Sequence, residues 1–252
     1  MLHSVQRHGS AVLQAQDFGG AVCRDAEYQA TSLPRAHVFY HVFTTSDPRS
    51  VDIVRQQLAL LTSVRELLSS ITCCVSGNYL PHFDESLRLV QQSKIGIHIA
   101  RAVFNDQTYE RLTLRALSSS KISDTAVYLY MHTKGCTKTG EEFVCVQDWR
   151  QCIEYFLLEK AAECIAMLAT KHFDLVGIMH LAHPKVHFSG NFWWASGEYL
   201  LKLIAQHPEI GPQYFDTEMW VGQANPRCHS FFPVTRAHYH QRIYRHEYVM
   251  RQ

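Results

Sequence analysis

Segments typical of buried strands alternate with amphipathic helical segments along most of this chain, and that alternation limits the fold more than any other feature. Short runs of β-branched and aromatic residues, which favour strands, occur at 37–43, 71–77, 94–100, 126–132 and 173–181. Apolar residues at helical spacing lie between or after them, at 51–71, 84–92, 109–120, 146–170 and 196–206. This order predicts an α/β fold with a mostly parallel central sheet flanked by helices.

The alternating pattern begins only after the first 34 residues. Residues 1–34 show no sustained period and end at Pro34, so we predict an N-terminal extension there, with a short helix around 10–16. Residues 35–252 are predicted to form one domain, because a chain of 252 residues is long enough for a single large α/β core.

Composition disfavours several classes of protein. The formal net charge is +1, so no basic excess indicates a nucleic-acid partner. No stretch approaches the roughly 18 apolar residues of a membrane span, and the N-terminal segment lacks the apolar core of a secretory signal. The eight cysteines form no CxxC pair and indicate reduced thiols in a domain of this size. Together these features predict a cytoplasmic protein.

Polar residues and glycines stand where three of the predicted strands end. They are Thr44, Thr45, Gly77, Asn78, His132, Lys134 and Gly135. The ligand crevice of such a sheet lies outside the carboxyl ends of its strands, so these residues are the first candidates for a binding site. Lys134 and the N–H groups of its turn can hold an anion, although they also fit an ordinary basic surface turn. The chain has neither a glycine-rich dinucleotide motif nor a P-loop.

Two carboxylates, Asp216 and Glu218, lie among aromatic residues in YFDTEMWVG. An apolar setting raises the pKa of a carboxyl group and suits it to act as a general base. Both residues also fit the start of a helix, where a carboxylate accepts hydrogen bonds from unpaired N–H groups. Pattern alone favours this second, structural interpretation.

Three histidines, His180, His183 and His187, lie close together in MHLAHPKVH, at a density that a zinc site can use. Pro184 prevents a helical arrangement of these side chains, and no Cys or carboxylate lies nearby as a fourth ligand. A zinc hydrolase is therefore the weakest hypothesis, and we predict no metal site here.

The segment HFSGNFWWAS (187–196) has polar and aromatic side chains at a spacing of two. In a strand, His187, Ser189 and Asn191 share one face, and the aromatic residues at even positions share the other. An ordinary core strand explains this pattern, since Phe and Trp pack most cores. A polar face beside aromatic rings also suits a sugar. We predict that this face binds a sugar, with Gly190 permitting close approach and Trp193 at the rim.

Seven segments resemble, in chain order, a family of small glycosyltransferase-like proteins: FYHVF, RQQLALL, YERLTL, YLYMHTKG, DWRQCIEYF, HFSGNFWWA and EMWVG. One branch of that family is similar to the N-terminal rhamnosyltransferase domain of chlorella-virus glycosylation enzymes. The resemblance covers about residues 37–222, and HFSGNFWWA followed by EMW is its most specific part. It implies a GT-A-like, Rossmann-like fold and transfer of a sugar from a nucleotide-sugar donor, for example a UDP-linked one, to a glycan or other hydroxyl acceptor.

The resemblance also assigns residues. His132, Lys134 and Gly135 match the family's HTKG turn, and Tyr109 and Glu110 match part of a YE–TL element. Glu218 matches the acidic residue of an acid-x-Trp motif. In the resulting hypothesis the HTKG turn faces the donor diphosphate, and the residues at 44, 45, 77 and 78 border the nucleotide. Glu218 deprotonates the acceptor in an inverting displacement, with Asp216 as second choice.

The chain departs from many GT-A enzymes at the end of the strand 126–132. His132-Thr133-Lys134 stands where an Asp-x-Asp motif often binds a divalent cation, so dependence on Mn²⁺ or Mg²⁺ is left open. If no cation binds, Lys134 and His132 must offset the diphosphate charge. The departure also leaves an alternative function open, a non-catalytic module that binds nucleotide sugars or carbohydrates on the same fold.

Overall fold

The computed structural model describes residues 33–105, 109–235 and 237–249. The strands in these ranges are β1 Ala36–Thr44, β2 Leu68–Gly77, β3 Ile97–Phe104, β4 Val127–His132, β5 Leu175–Gly177, β6 His180–Leu181, β7 His187–Phe188, β8 Trp193–Ser196 and β9 Cys228–Ser230. The helices there are α1 Arg49–Ser63, α2 Leu80–Gln92, α3 Arg111–Ser118, α4 Gly140–Glu154, α5 Ala161–Ala169, α6 Gly197–Gln206, α7 Asp216–Met219 and α8 His246–Val249. None of these helices is long and apolar enough to cross a membrane. The predicted N-terminal extension, apart from residues 33 and 34, lies outside the described residues.

Seven of the strands form one sheet in the order β3-β2-β1-β4-β8-β5-β9. β1 pairs in parallel with both β2 and β4, and β2 pairs in parallel with β3. β8 is the exception, because it runs antiparallel to β4 and β5. The chain moves outward from β1 to β3 and then places β4 on the other side of β1, which is the strand order of a Rossmann-like half sheet.

Helices cover both faces of this sheet. α1, α2, α4 and α5 contribute to one core cluster, which includes Leu61 and Trp149. α3 and α6 contribute to a second cluster, which includes Leu114 and Leu203. Because both faces are buried, β1 and β4 are nearly continuous apolar runs in the sequence. The predicted fold class, an α/β domain with a mostly parallel sheet flanked by helices, is confirmed.

The long helix predicted at 146–170 begins earlier, with α4, and is divided by a π-helical turn at Tyr155–Glu159 before α5. In this turn, Lys160 donates its N–H at 3.1 Å to the carbonyl five residues earlier. The carbonyl of Leu157, inside the turn, accepts a hydrogen bond at 2.8 Å from the indole N–H of Trp194 in β8. The irregular turn therefore satisfies a polar group of a buried tryptophan.

Other element boundaries also differ from the prediction. The helix predicted at 51–71 ends at Ser63, and β2 already begins at Leu68. The strand predicted at 173–181 is divided into β5 and β6, which belong to different sheets. The helix predicted at 196–206 is confirmed as α6, and the side chain of Ser196 caps it by accepting a hydrogen bond from the Tyr199 N–H at 3.2 Å.

The segment 187–196 is not one strand, contrary to the prediction. The chain turns between β7 and β8 through Gly190 and Asn191, whose φ angles are +98° and +54°. Glycine and asparagine adopt this left-handed conformation most readily. The strict alternation therefore breaks, and Trp193 and Trp194 pack into different core clusters with no exposed surface. The prediction that Trp193 lies at the rim of a sugar pocket is wrong.

Candidate functional site

A cavity of about 420 Å³ lies beyond the carboxyl ends of β1 and β4. The strand order reverses between these two strands, since β2 and β3 lie on one side of β1 and β4 on the other. Such a crevice is where open α/β sheets bind ligands. Seven residues predicted from the sequence line the cavity: Asn78, His132, Lys134, Gly135, Gly190, Asn191 and Glu218.

Buried hydrogen bonds fix the turn that follows β4. The hydroxyl of Thr133 donates to the Phe43 carbonyl and accepts from the Phe43 N–H, both at 2.8 Å. The side-chain amide of Gln57 donates to the His132 carbonyl at 2.9 Å and to Glu154 Oε1 at 2.8 Å. The turn is thereby held to β1 on one side and to α1 and α4 on the other.

This turn brings an ammonium group to the cavity. Lys134 Nζ lies 3.9 Å from the centroid of the Trp149 ring, which is a cation–π contact. Burial lowers the pKa of Lys134, and the nearby carboxylates of Glu218 and Glu110 oppose that effect. Lys134 is therefore a cation that the cavity offers to an anionic ligand.

His132 is a hydrogen-bonding residue and not a second positive charge. Its Nε2 lies 2.8 Å from the Gly190 carbonyl oxygen, which can only accept, so Nε2 carries the hydrogen. Burial, with a smaller contribution from Lys134, lowers the pKa of His132 to about 3. The imidazole is neutral at ordinary pH. The hypothesis that His132 offsets diphosphate charge is therefore corrected, although the residue does line the cavity.

The turn at Gly190 and Asn191 connects both carboxylates of the cavity. Gly190 donates its N–H to Glu218 Oε1 at 2.8 Å. Asn191 donates its side-chain amide to Glu110 and to the Thr217 carbonyl, the latter at 3.3 Å. Two neighbouring residues of this turn thus orient the two carboxylates, Gly190 through its backbone N–H and Asn191 through its side-chain amide.

Glu110 is a partly buried carboxyl group of the cavity, to which the sequence hypothesis assigns no role. It accepts hydrogen bonds from the Asn191 amide and, at 3.3 Å, from the Tyr130 hydroxyl. Its Oε1 lies 3.5 Å from His132 Nδ1. Burial raises the pKa of Glu110, and nearby His41 opposes the rise most strongly. The YE–TL element contained this residue, but nothing in the local pattern distinguished it as an acid of the cavity.

Three of the predicted nucleotide-binding residues hold strand ends together and are not among those that line the cavity. They are Thr44, Thr45 and Gly77. Thr44 is fully buried, and a Cβ added at Gly77 would lie 2.7 Å from its hydroxyl oxygen. The hydroxyl of Thr45 donates to the Cys136 carbonyl at 3.2 Å. Asn78, which follows β2, is the member of this group that reaches the cavity.

Three further predicted residues also lie outside the cavity lining. His187 Nδ1 bonds at 2.8 Å to the backbone carbonyl two residues earlier. The Ser189 hydroxyl bonds with His238 Nε2 at 3.1 Å. Asp216 Oδ2 accepts from the Gln213 N–H at 2.7 Å, next to the start of α7. Asp216 thus lies at the start of α7 and binds the loop before it, and it is not among the residues that line the cavity.

Four aromatic residues that the prediction did not select line the cavity mouth: Tyr109, Tyr214, Phe215 and Tyr239. Tyr214 and Phe215 directly precede Asp216 in the sequence, within the segment that predicts an acid among aromatic residues. Adjacent aromatic residues before a helix start are therefore the sequence feature that could indicate this part of the cavity. The sequence alone does not show which aromatic residues stay exposed.

The side chains at the cavity do not fit a divalent-cation site held by the protein alone. Within the described ranges, no three His, Cys, Asp or Glu side chains group as such a site would need. At the end of β4, the position of an Asp-x-Asp motif, the cavity instead receives the ammonium group of Lys134. The histidines at 180, 183 and 187 form no such group either, so the zinc hypothesis gains no support.

The chain folds as an α/β protein with a cavity at the switch point of its sheet. The chain belongs to the family described as Domain of unknown function (DUF8361), whose model matches residues 39–242. No curated protein matches the chain. Among solved structures it is similar to 4-diphosphocytidyl-2C-methyl-D-erythritolsynthase from Anaerococcus prevotii DSM 20548, with a TM-score of 0.44, 9% identity, and coverage of 84% of this chain and 93% of the other. The likeness concerns the fold alone.

Proposed function

We propose that this chain is a glycosyltransferase that moves a sugar from a nucleotide-sugar donor to a hydroxyl group of an acceptor. The observation that carries the proposal is one cavity that holds both Lys134 and the carboxylate of Glu218 at the carboxyl ends of β1 and β4. The reaction needs a positive charge for the departing diphosphate and a base for the acceptor hydroxyl. The motif resemblance to GT-A-like glycosyltransferases supports the same function.

The donor lies against the turn after β4 in this proposal. Lys134 binds the diphosphate oxygens as a point charge. Asn78 borders the nucleotide, for which UDP is the first choice. A divalent cation is not needed to explain this arrangement, because Lys134 supplies the charge.

Glu218 acts as the base. Its carboxylate takes the proton from the acceptor hydroxyl while that oxygen forms a bond to the anomeric carbon of the sugar. The bond between the anomeric carbon and the diphosphate oxygen breaks, and its electron pair leaves with the nucleoside diphosphate. A single displacement of this kind inverts the anomeric centre. The hydrogen bond from Gly190 N–H to Glu218 Oε1, at 2.8 Å, holds the carboxylate in position.

The decisive experiment is a thermal-shift and calorimetry screen of UDP- and GDP-linked sugars, with and without manganese. A donor that binds only the folded protein raises its apparent stability. We expect Lys134→Met to weaken donor binding by about tenfold or more, and Glu218→Gln to retain binding but lose transfer by about a hundredfold. Unchanged donor affinity in Lys134→Met, or full turnover by Glu218→Gln, would contradict the assigned roles.

The alternative function is a non-catalytic binding module. Measuring the reaction products distinguishes it from a glycosyltransferase. It predicts that a nucleotide sugar binds to the wild-type protein but that no nucleoside diphosphate is released with any acceptor. The cavity offers both a cation and a carboxylate, and for that reason we favour the enzyme.

A further inference from the structure

Three exposed aromatic side chains stand together at the mouth of the cavity. Tyr109, Tyr214 and Phe215 are 48%, 60% and 62% exposed, and all three line the cavity. The rings of Tyr109 and Tyr214 meet edge to face at 5.5 Å, and those of Tyr214 and Phe215 at 5.2 Å. We call these three residues the aromatic wall. A cluster of exposed rings beside a polar cavity is typical of a binding surface.

The aromatic wall is held in place by buried contacts. The guanidinium of Arg111, which is itself buried, donates from Nη1 to the carbonyls of Gly211 at 3.2 Å and Gln213 at 3.0 Å. These bonds tie the loop that precedes Tyr214 to the start of α3. Tyr109 has a φ of +52°, a left-handed conformation that is uncommon for an aromatic residue and is often found at functional sites. Contacts within the protein therefore hold the loop that leads to Tyr214.

Two carboxyl groups of the cavity act on the wall as well as on Lys134. Burial raises the pKa of Tyr214, and the negative charges of Glu110 and Glu218, which line the same cavity, raise it further. The lysines of the cavity, Lys134 and Lys138, belong to the turn after β4. A phosphate group is attracted by lysines, so the phosphates of a donor belong at the turn that carries them.

A neutral sugar ring has the chemistry that the wall can bind. Its C–H groups carry slight positive charge and pack on the negative face of an aromatic ring. Its hydroxyl groups can donate to carboxylate oxygens, which only accept when ionised. Glu218, the proposed base, then lies on the side of the cavity from which an acceptor hydroxyl must approach.

We propose that the aromatic wall is the acceptor subsite and that the acceptor presents a neutral pyranose ring to Tyr214 and Phe215. The proposal rests on the proposed sugar transfer and adds the chemical class of the acceptor. Tyr214 and Phe215 then provide the aromatic contacts to a sugar that the sequence assigned to Trp193, which is fully buried.

The experiment measures binding of methyl glycosides of neutral hexoses and 6-deoxyhexoses by saturation-transfer NMR and calorimetry. The double variant Tyr214→Ala/Phe215→Ala is expected to lose about tenfold or more in glycoside affinity while its affinity for UDP changes by less than about twofold. Tyr214→Phe retains the ring and should retain binding. Tyr244→Ala is the matched control, because Tyr244 is 49% exposed and is not among the residues that line the cavity.

The outcomes separate this proposal from the proposed function. Glycoside binding that depends on the wall supports the subsite even if no nucleotide sugar is ever turned over, in which case the transferase function fails alone. The subsite proposal is overturned if no glycoside binds to the wild-type protein, if the double variant binds glycosides as well as the wild type, or if Tyr244→Ala loses as much. Loss of UDP affinity in place of glycoside affinity would show that the wall holds the nucleobase and would also overturn it.

Discussion

The imidazole of His132 donates from Nε2 to the carbonyl oxygen of Gly190 at 2.8 Å. The N–H of the same glycine donates to Glu218 Oε1, also at 2.8 Å. One residue in a left-handed turn therefore connects the end of β4 with the carboxylate proposed as the base. The position of that carboxylate depends on backbone conformation, and a change at Gly190 should affect it although Gly190 has no side chain.

Gly190→Ala is expected to destabilise the protein and to lower donor affinity. A Cβ at this position would lie 2.9 Å from Ile153 Cδ1 and 3.1 Å from both Lys134 Cε and Trp149 Cζ2, at a φ of +98°. We expect a loss of about 2–4 kcal/mol in the free energy of unfolding, from backbone strain together with overpacking. Urea unfolding measures the first effect, and calorimetry with the donor measures displacement of Lys134.

Gly140→Ala is the control for backbone strain alone. Gly140 also has a positive φ, +56°, but an added Cβ would meet no atom within 4 Å. This variant should cost only about 1 kcal/mol and leave donor binding intact. Equal losses in the two variants would show that the packing around Gly190 contributes nothing.

The pH dependence of stability should carry a contribution from His132. Its pKa is lowered to about 3 in the folded protein, chiefly by burial, whereas an unfolded histidine takes up its proton near 6.5. The unfolded state therefore gains a proton first, so the free energy of unfolding falls as the pH drops from about 6.5 toward 3. One proton corresponds to a slope of about 1.4 kcal/mol per pH unit.

His132→Gln tests that contribution, because an amide can still donate to Gly190 but takes up no proton. Urea unfolding of both proteins between about pH 7.5 and about pH 5 should give a shallower dependence for the variant, by about one proton. Parallel curves for the two proteins would refute the assignment of a neutral, buried imidazole.

The strands and their polar ends could be predicted because they depend on local pattern. β1 and β4 are buried on both faces and so form continuous apolar runs, and the rule that ligands bind at strand ends led to Lys134. The sugar-binding face at 187–196 could not be predicted by the same reasoning. Gly190-Asn191 is itself typical of a turn. The chain turns there, so the strand-like spacing of two does not continue and does not place Trp193 at the rim of a sugar pocket.

Glu110 and the aromatic wall could not be predicted because tertiary contacts position them. Glu110 reaches the cavity through bonds with Asn191 and Tyr130, which lie on distant parts of the chain. Tyr214 is held by a loop that Arg111 binds from α3, about a hundred residues earlier in the sequence. Neither contact produces a periodic pattern in the sequence from which it could be predicted.

Glu110→Gln is expected to stabilise the protein, increasingly so at higher pH. Burial raises the pKa of Glu110 in the folded state, so the unfolded carboxyl loses its proton first as the pH rises. The wild-type protein loses stability as the pH rises above about 4.5 toward the folded pKa, and a glutamine has no such loss. Its amide oxygen can still accept from Asn191 and Tyr130.

The expected gain for Glu110→Gln comes from removing a carboxylate whose charged form burial disfavours, and it should grow as the pH rises. Urea unfolding at several pH values measures it. If Glu110 also accepts from acceptor hydroxyls, the same variant should raise the KM for the acceptor with little change in the KM for the donor. A variant that is less stable than the wild type at every pH would contradict the prediction.

Arg150 and Glu154 form a buried ion pair. Removing one partner alone should destabilise the protein more than replacing both partners with apolar residues. Arg150 Nη1 lies 2.9 Å from Glu154 Oε1, and the two side chains are 1% and 3% exposed. Burial raises the pKa of Glu154, and the charge of Arg150 opposes the rise. Arg150→Met leaves the carboxyl buried without its cation, and we expect a loss of about 3–5 kcal/mol in the free energy of unfolding.

The double variant Arg150→Met/Glu154→Leu should recover most of that loss, because an apolar pair of similar volume needs no desolvated charge. The control is Arg55→Met, because Arg55 forms solvent-accessible ion pairs with Asp52 and Glu85, and losing them should change stability by less than about 1 kcal/mol. Urea unfolding of all four proteins gives the comparison. If the double variant is no more stable than Arg150→Met, then Glu154 stabilises the fold mainly through its bond with Gln57, and the ion pair is not the dominant contribution.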